Sequence, residues 1–426
     1  MNWQKKIQQI IRTRDLRNRL LFVVFILVIF RLTAHIPLPG VDPTALKSFF
    51  SDNQFFSLLD VFAGGGLSRM SIVMLGVGPY ITASIIVQLL TMVVPKLEEI
   101  QKEGAYGQHK INQWTRYLTV PMAVIQAYGM IALFSRSSRA IFIDNSVLSF
   151  LTIITAAVAG SIFLMWLGEL VSEKNVGNGI SLIIFAGIVA SIPQSIFQFL
   201  AAYDASQFFN ILLFMAVAVA VVAGVVYITG AIRNIPIRYA RKIVGGRMYG
   251  ASEANLPIKI NQAGVIPIIF AISILLFPNL IANFLQNTGQ TKLIEIAGFI
   301  TRVLQNQSIY ALLYFLLVFA FTFFYTTVAF RPEQVAENIQ KQGGFIPGIR
   351  PGRETSQYLS KISNRVTLAG AVFLGIIAIL PLASQRVLGG NNLTVGGTSL
   401  LIVVAVALEI IKQVESQMFL REYDKL

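Results

Sequence analysis

The chain contains no cysteine. Disulfides, thiolate nucleophiles and thiolate metal sites are therefore excluded. Histidine is almost as scarce: His35 and His109 are the only two in 426 residues. A histidine metal site or a nucleophile–base pair has little to draw on. No His-Glu-x-x-His occurs. The glycine-rich run at 245–250 lacks the Gly-Lys-Ser/Thr ending of a phosphate loop. The expectation is a protein with no cofactor and no metal that is not an enzyme. Charge is scarce too, at 13% against about a quarter in soluble domains. With 55% hydrophobic residues, the chain reads as a polytopic membrane protein with one membrane domain.

What charge there is leans positive, to a net +14. Affinity for RNA or anionic lipids is one reading. The positive-inside bias of a membrane protein is the other, and it explains most of the excess. Ten apolar spans can be drawn, at about 20–37, 71–94, 116–135, 148–170, 178–200, 208–230, 262–285, 309–330, 366–388 and 398–418. With the N-terminus assigned to the cytoplasm, 26 of the 34 Lys and Arg fall on the cytoplasmic side and 8 outside. That asymmetry puts both termini inside.

Ten spans divide into two fives. A five-span half duplicated in tandem enters the membrane with opposite orientation each time, so spans 1–5 and 6–10 would be inverted repeats. The expected fold is all-α, with ten transmembrane helices in two inverted halves, 20–200 and 201–418, and a tail at 419–426. The connector near 191–207 carries no Lys or Arg and would be the hinge. Residues 1–19 interleave Lys5, Lys6, Arg12, Arg14, Arg17 and Arg19 with apolar side chains. This suits an amphipathic helix on the membrane surface. The rival reading, a signal peptide, lacks a small-x-small cleavage pattern.

The stretch 58–94 organises the rest. Residues 58–70 are too short and glycine-rich to cross a bilayer, with Gly64, Gly65 and Gly66 in a row and Asp60 and Arg69 near the ends. Residues 71–94 are uncharged and long enough to span. A half-element feeding a span is a broken membrane element, tolerated only where protein or a watery cavity lines it. An ordinary surface loop before a span is the alternative. Two cytoplasmic loops, 231–261 and 331–365, are long, basic and punctuated by Gly and Pro. Loops of that length bind something or are disordered. The run of Gly343, Gly344, Pro347, Gly348, Pro351 and Gly352 reads as a shaped tip that presents Arg350 and Arg353.

The spans are nearly free of ionisable residues. Glu169 and Glu409 lie towards cytoplasmic ends and have no obvious partner in the sequence. This weakens a secondary-transporter reading, which calls for midplane ionisable groups. A membrane scaffold with no pore is a third reading. Val77 and Ile81 share one face of span 2, as Ile180 and Ile184 do in span 5; Ile269 and Ile402 sit in spans 7 and 10. Ordinary packing is the default account of such residues. Thr82, Gln126 and Asn261 are polar residues in or near spans, for which interhelical hydrogen bonding is the default.

Several stretches together resemble the SecY/Sec61-alpha family, central subunits of Sec translocons: 75–90 (LGVGPYITASIIVQLL), 166–193, 261–271 (NQAGVIPIIFA), 345–355 (FIPGIRPGRET) and 396–404 (GGTSLLIVV). The resemblance runs from about residue 17 to 418. It implies a protein-conducting channel in the bacterial inner membrane. Residues 58–70 would be a short re-entrant plug helix, carrying Asp60, Gly64, Gly65, Gly66 and Arg69. The hydrophobic pore ring would be Val77, Ile81, Ile180, Ile184, Ile269 and Ile402, with Val77 its smaller member. Thr82, Gln126 and Asn261 would line a lateral gate. Arg247, Arg350 and Arg353 would dock the ribosome, through its RNA and protein, or the SecA ATPase. Where the family has two adjacent arginines this chain has Gly246 and Arg247. SecE and SecG subunits, signal peptides, nascent chains and anionic lipids are the other partners implied.

Overall fold

The structure is a computed structural model that describes residues 13–41, 60, 64–135, 146–201, 208–239, 242–244, 247–249, 253–285, 291–388 and 397–423. The amphipathic segment proposed at the N-terminus lies mostly outside the described residues, as do Gly246 and the tip of the 191–207 connector.

A helix overlaps each of the ten apolar segments. In chain order these are α1 (Arg14–Thr33), α2 (Gly78–Val93), α4 (Ala105–Ser135), α5 (Val147–Glu173), α6 (Gly179–Ala201), α7 (Phe208–Gly230), α8 (Ile266–Leu285), α10 (Gln307–Ala329), α12 (Arg353–Leu388) and α13 (Gly397–Tyr423). Among the described residues three shorter helices join them: α3 (Pro95–Lys102), α9 (Thr291–Gln305) and α11 (Pro332–Lys341). By length and apolar composition alone, three helical runs among the described residues suffice to cross a membrane: Val147–Glu173, Gln307–Lys341 and Arg353–Leu380. A fourth counts if α2 and α3, bent by 101°, form one span. The bend sits at Val94, whose extended backbone precedes Pro95 at the first position of α3. Proline disfavours helix in the residue before it, and is itself preset for a helix start.

The chain folds into two compact units. One comprises Met1–Gln207, Ile272–Asn306 and Asn392–Leu426, the other Phe208–Ala271 and Gln307–Asn391. In the first, α2 packs on α4, α4 on α5, α5 on α6, and α6 on α13, while α1 touches α5 and α6. Its core gathers Leu67, Met70, Met74, Ala123, Ala127, Phe134, Ile153 and Ala157. In the second, α10 lies along α12. Gly375 permits that contact, since a Cβ there would stand 2.6 Å from the Phe315 ring.

The expectation of an all-α chain needs correction in the 231–261 loop. It folds as strands β1 (Ile232–Tyr239), β2 (Lys242–Val244), β3 (Arg247–Tyr249) and β4 (Glu253–Lys259). β4 and β1 pair antiparallel, and β5 (Gly344–Phe345) from the second long loop adds to the other edge of β1. The two loops are thus one platform. Ile235 and Ile237 alternate inward along β1 and meet Ile258, Ala336, Ile339, Ile346 and Leu359 in a small core. Alternation at period two is what a half-buried strand needs.

The second correction concerns the start of span 2. Helix begins at Gly78, not Ser71. Residues 64–77 run as turns, with left-handed backbone at Gly64, Gly65, Met70 and Gly76.

Candidate functional site

Non-helical backbone this deep in a membrane protein must find its partners within the protein. Residues 64–78 do so. Pro37 and Ser71 form a β-bridge, with the Leu38 amide donating to Met70 O (2.7 Å) and the Ile72 amide to Ile36 O (3.0 Å). Local turns take up the amides of Ser71, Met74, Gly76 and Gly78. From α5, Ser161 Oγ donates to Gly76 O at 3.1 Å. Gly160 lets the two backbones touch: a Cβ there would lie 1.9 Å from Ile72 O.

Of the segment expected to be a plug helix, the described residues are Asp60, which is helical, and 64–70, which run as tight turns. The Asp60 carbonyl accepts from the Gly65 amide (2.8 Å), and its carboxylate accepts from the Ser68 amide (2.8 Å). Burial pushes the Asp60 carboxyl above its usual range. Hydrogen bonds from Ser68 and Leu67, and the Arg69 guanidinium, pull the other way. Arg31 on α1 donates from Nη1 to Gly64 O at 2.9 Å, and Arg69 bonds His35, just past the end of α1.

Among the expected ring residues, Val77, Ile81, Ile184, Ile269 and Ile402 are buried and Ile180 is partly buried. Val77 caps α2 and Ile81 lies one turn on, its amide donating to Val77 O at 3.1 Å. Ile180, Ile184 and Gly187 form one stripe of α6, at positions i, i+4 and i+7. Ile180 packs on Gly168 of α5, where a Cβ would come within 2.5 Å of its Cδ1.

Two of the three expected gate residues meet. Gln126 Nε2 on α4 donates to Thr82 Oγ1 on α2 at 3.2 Å. Asn261 precedes α8 rather than lying in it. Its Nδ2 donates to Gly264 O at 3.2 Å, while its Oδ1 is buried with no partner among the described residues. Arg350 and Arg353 are exposed, on a tip shaped by left-handed Gly348 and Gly352 and closed by a bond from Thr355 Oγ1 to Arg350 O at 2.9 Å. Arg247 opens β3.

Sequence reasoning missed several participants. Glu169 does have a partner: Arg116 Nε on α4 donates to its Oε1 at 2.6 Å, and Glu409 is not free either. The signal was there, since both Arg116 and Glu169 sit at the same end of consecutive spans. Arg31, His35 and Gly187 carried no such signal; only the fold brings them to residues 64–69.

The SecY family model matches residues 71–411. Protein translocase subunit SecY of Streptomyces scabiei is 43% identical over 97% of this chain and 97% of its own length. The Mycobacterium bovis protein of the same name is 40% identical over the same shares. Among solved structures, one described as a protein conducting channel superposes with a TM-score of 0.62 at 19% identity, over 93% of this chain and 91% of its own. One concerning the SecY plug domain gives 0.63 at 21%, over 94% and 92%. Sec61 in the canine ribosome-channel complex gives 0.58 at 18%, over 93% and 91%. At these identities the structural likeness is one of fold. The sequence likeness runs nearly end to end, and on it the chain belongs to the SecY family.

Proposed function

We propose that this chain is the protein-conducting subunit of a translocase. It passes unfolded secretory polypeptides across the bacterial inner membrane and releases transmembrane segments sideways into lipid. The observation that carries the reading is near-complete alignment with translocase subunits at 40–43% identity. Residues 58–70 act as the plug, with Gly64 and Arg69 held against the α1 end and α6. Val77, Ile81, Ile180, Ile184, Ile269 and Ile402 act as the pore ring. An apolar ring suits a pore that must pass any sequence, because it offers no charge or hydrogen bond to trap a side chain. Empty, it dewets and resists ions and water.

A signal sequence or nascent transmembrane helix brings a run of apolar residues. Lipid favours that run over a watery pore by ~25 cal/mol per Å² of apolar surface. The ten spans form two inverted halves, and opening between them lets the run partition out. Thr82, Gln126 and Asn261 tune that gate. The orphan Asn261 Oδ1 is an acceptor whose burial costs about 1–3 kcal/mol where it stays unpaired. Asn261→Leu removes that cost and should change the acceptance of weak signal sequences. Unaltered processing of a weak-signal reporter would contradict the gate role.

Energy comes from outside, since no nucleotide motif is present. The exposed Arg350 and Arg353 tip, with Arg247, docks the ribosome through phosphate contacts or docks the SecA ATPase. A neighbour in fold solved within a ribosome-channel complex supports this. SecE and SecG complete the channel, with both termini of this chain cytoplasmic. The testing experiment is photocrosslinking of an arrested secretory chain from probes at Ile81, Ile184, Ile269 and Ile402 in turn. Adducts from all four are expected. Adducts from none, with the chain bound elsewhere, would restore ordinary packing as the account of these residues.

A further inference from the structure

We propose that Arg31, His35 and Gly187 are positioning residues that seat the plug. The proposal rests on the plug reading above and assigns the parts that hold it. Three contacts meet within the first unit. The first is steric. Gly64 and Gly187 touch backbone to backbone: a Cβ on Gly187 would lie 2.4 Å from Gly64 Cα. A Cβ on Gly64 would lie 2.6 Å from Phe30 Cζ, and its φ of +70° disfavours any side chain. The obstacle to Gly187 is backbone, so no rotamer change relieves it. Because Gly187 continues the stripe of Ile180 and Ile184 on α6, the seat lies on the helix face that carries ring residues.

The second contact is the Arg31 Nη1 bond to Gly64 O at 2.9 Å. It is charge-assisted, and it grips the carbonyl of the same glycine. Third, His35 bridges α1 to Arg69. Its Nδ1 lies 2.7 Å from Arg31 O, and a carbonyl only accepts, so Nδ1 carries the proton. Nε2 is then the acceptor for Arg69 Nη1. α1 therefore holds the segment at both ends, Gly64 and Arg69, and α6 supplies a flat place for it to rest. The glycine contact and the two bonds act beside Leu67 and Met70, which are buried in the core of the first unit.

The test uses the full-length chain with its partner subunits in proteoliposomes, reading ion conductance of the idle channel and translocation of a secretory substrate. Deletion of 60–70 comes first. If it does not raise idle conductance, the plug reading itself fails. Given a leaky deletion, Arg31→Gln should raise the undocked population about tenfold, the scale of losing one charge-assisted hydrogen bond. Arg31→Lys, which still donates to a carbonyl, should recover most of the seal. Gly187→Ala should leak likewise while translocation persists. Idle conductance at parental level in both Arg31→Gln and His35→Ala, beside a leaky deletion, would overturn the seat and leave the plug reading standing. A leak equal in Arg31→Lys and Arg31→Gln would also overturn it, assigning Arg31 a merely structural part.

Discussion

Residues 64–77 and the sheet on the two long loops are both non-helical, yet they satisfy their backbones by opposite means. The sheet uses regular pairing: β1 matches seven residues of β4 from Ile232–Lys259 to Arg238–Glu253. Its one core face is sealed by α11 and by the start of α12. Residues 64–77 use turns, a single bridge and glycine contacts, and borrow acceptors and donors from α1 and α5. A sheet gives a fixed platform, because sliding it by one residue turns every side chain to the wrong face. A chain of turns has no such register to lose. The difference fits the two roles proposed above, a docking surface in one place and a movable seal in the other.

Four changes would break or sharpen that contrast. Ile339→Ala should hollow the core beneath the sheet at a cost of about 3 kcal/mol. It should release the Arg350 tip from its fixed geometry and leave idle conductance alone. Hydrogen exchange of β1 amides beside a conductance trace checks both. Gly160→Ala pushes a methyl into the Ile72 carbonyl, and overpacking of this kind costs about 2–3 kcal/mol. The expected outcome is a lower melting temperature of the purified complex together with a leak. A leak-free, equally stable variant would mean that the turns after the plug tolerate displacement.

Arg350→Glu should leave stability unchanged, since the side chain is exposed. It should impair translocation with the complex still assembled, as read by export of a reporter and co-purification. The smallest effect concerns pH. Seating raises the Asp60 carboxyl pKa, mainly through burial, so the seated form holds the proton more tightly. Its advantage is fullest below the solvated value, about 3.9, and is lost as pH rises through the seated value. Idle leak should fall on acidification, and Asp60→Asn should flatten that response. A flat profile in the parent would count against it.

The helices were legible because hydropathy is a property of single segments. Each of the ten apolar runs overlaps one, although α2 starts seven residues after the apolar run begins. Gly76 and Pro79 in that run are signals for the late start; what holds the turns before it, Gly160 and Ser161 on α5, lies far along the chain. The strand at 232–239 was written into Ile235 and Ile237, but Pro236 between them and a run of only eight residues hid the alternation. The Thr82–Gln126 bond joins two residues that the sequence grouped by polarity and resemblance. The Arg116–Glu169 pair could be read only by matching the ends of two consecutive spans, since no motif or resemblance links its members. The seat on α1 and α6 was least legible, since a carbonyl and a missing side chain leave no chemical trace in the letters.

One measure of α2 bears on the bilayer itself. Its sixteen residues rise about 24 Å at ~1.5 Å each, short of a hydrocarbon core of ~30 Å. The turns before it are buried in protein, and the bend after it sends α3 off at 101°. Leu89, Leu90, Met92 and Val93 are exposed at its far end. Thinning is one way for lipid that meets so short a helix to match it. On the proposed lateral release, a thinned patch would shorten the path to the acyl chains and lower the threshold that a departing apolar helix crosses.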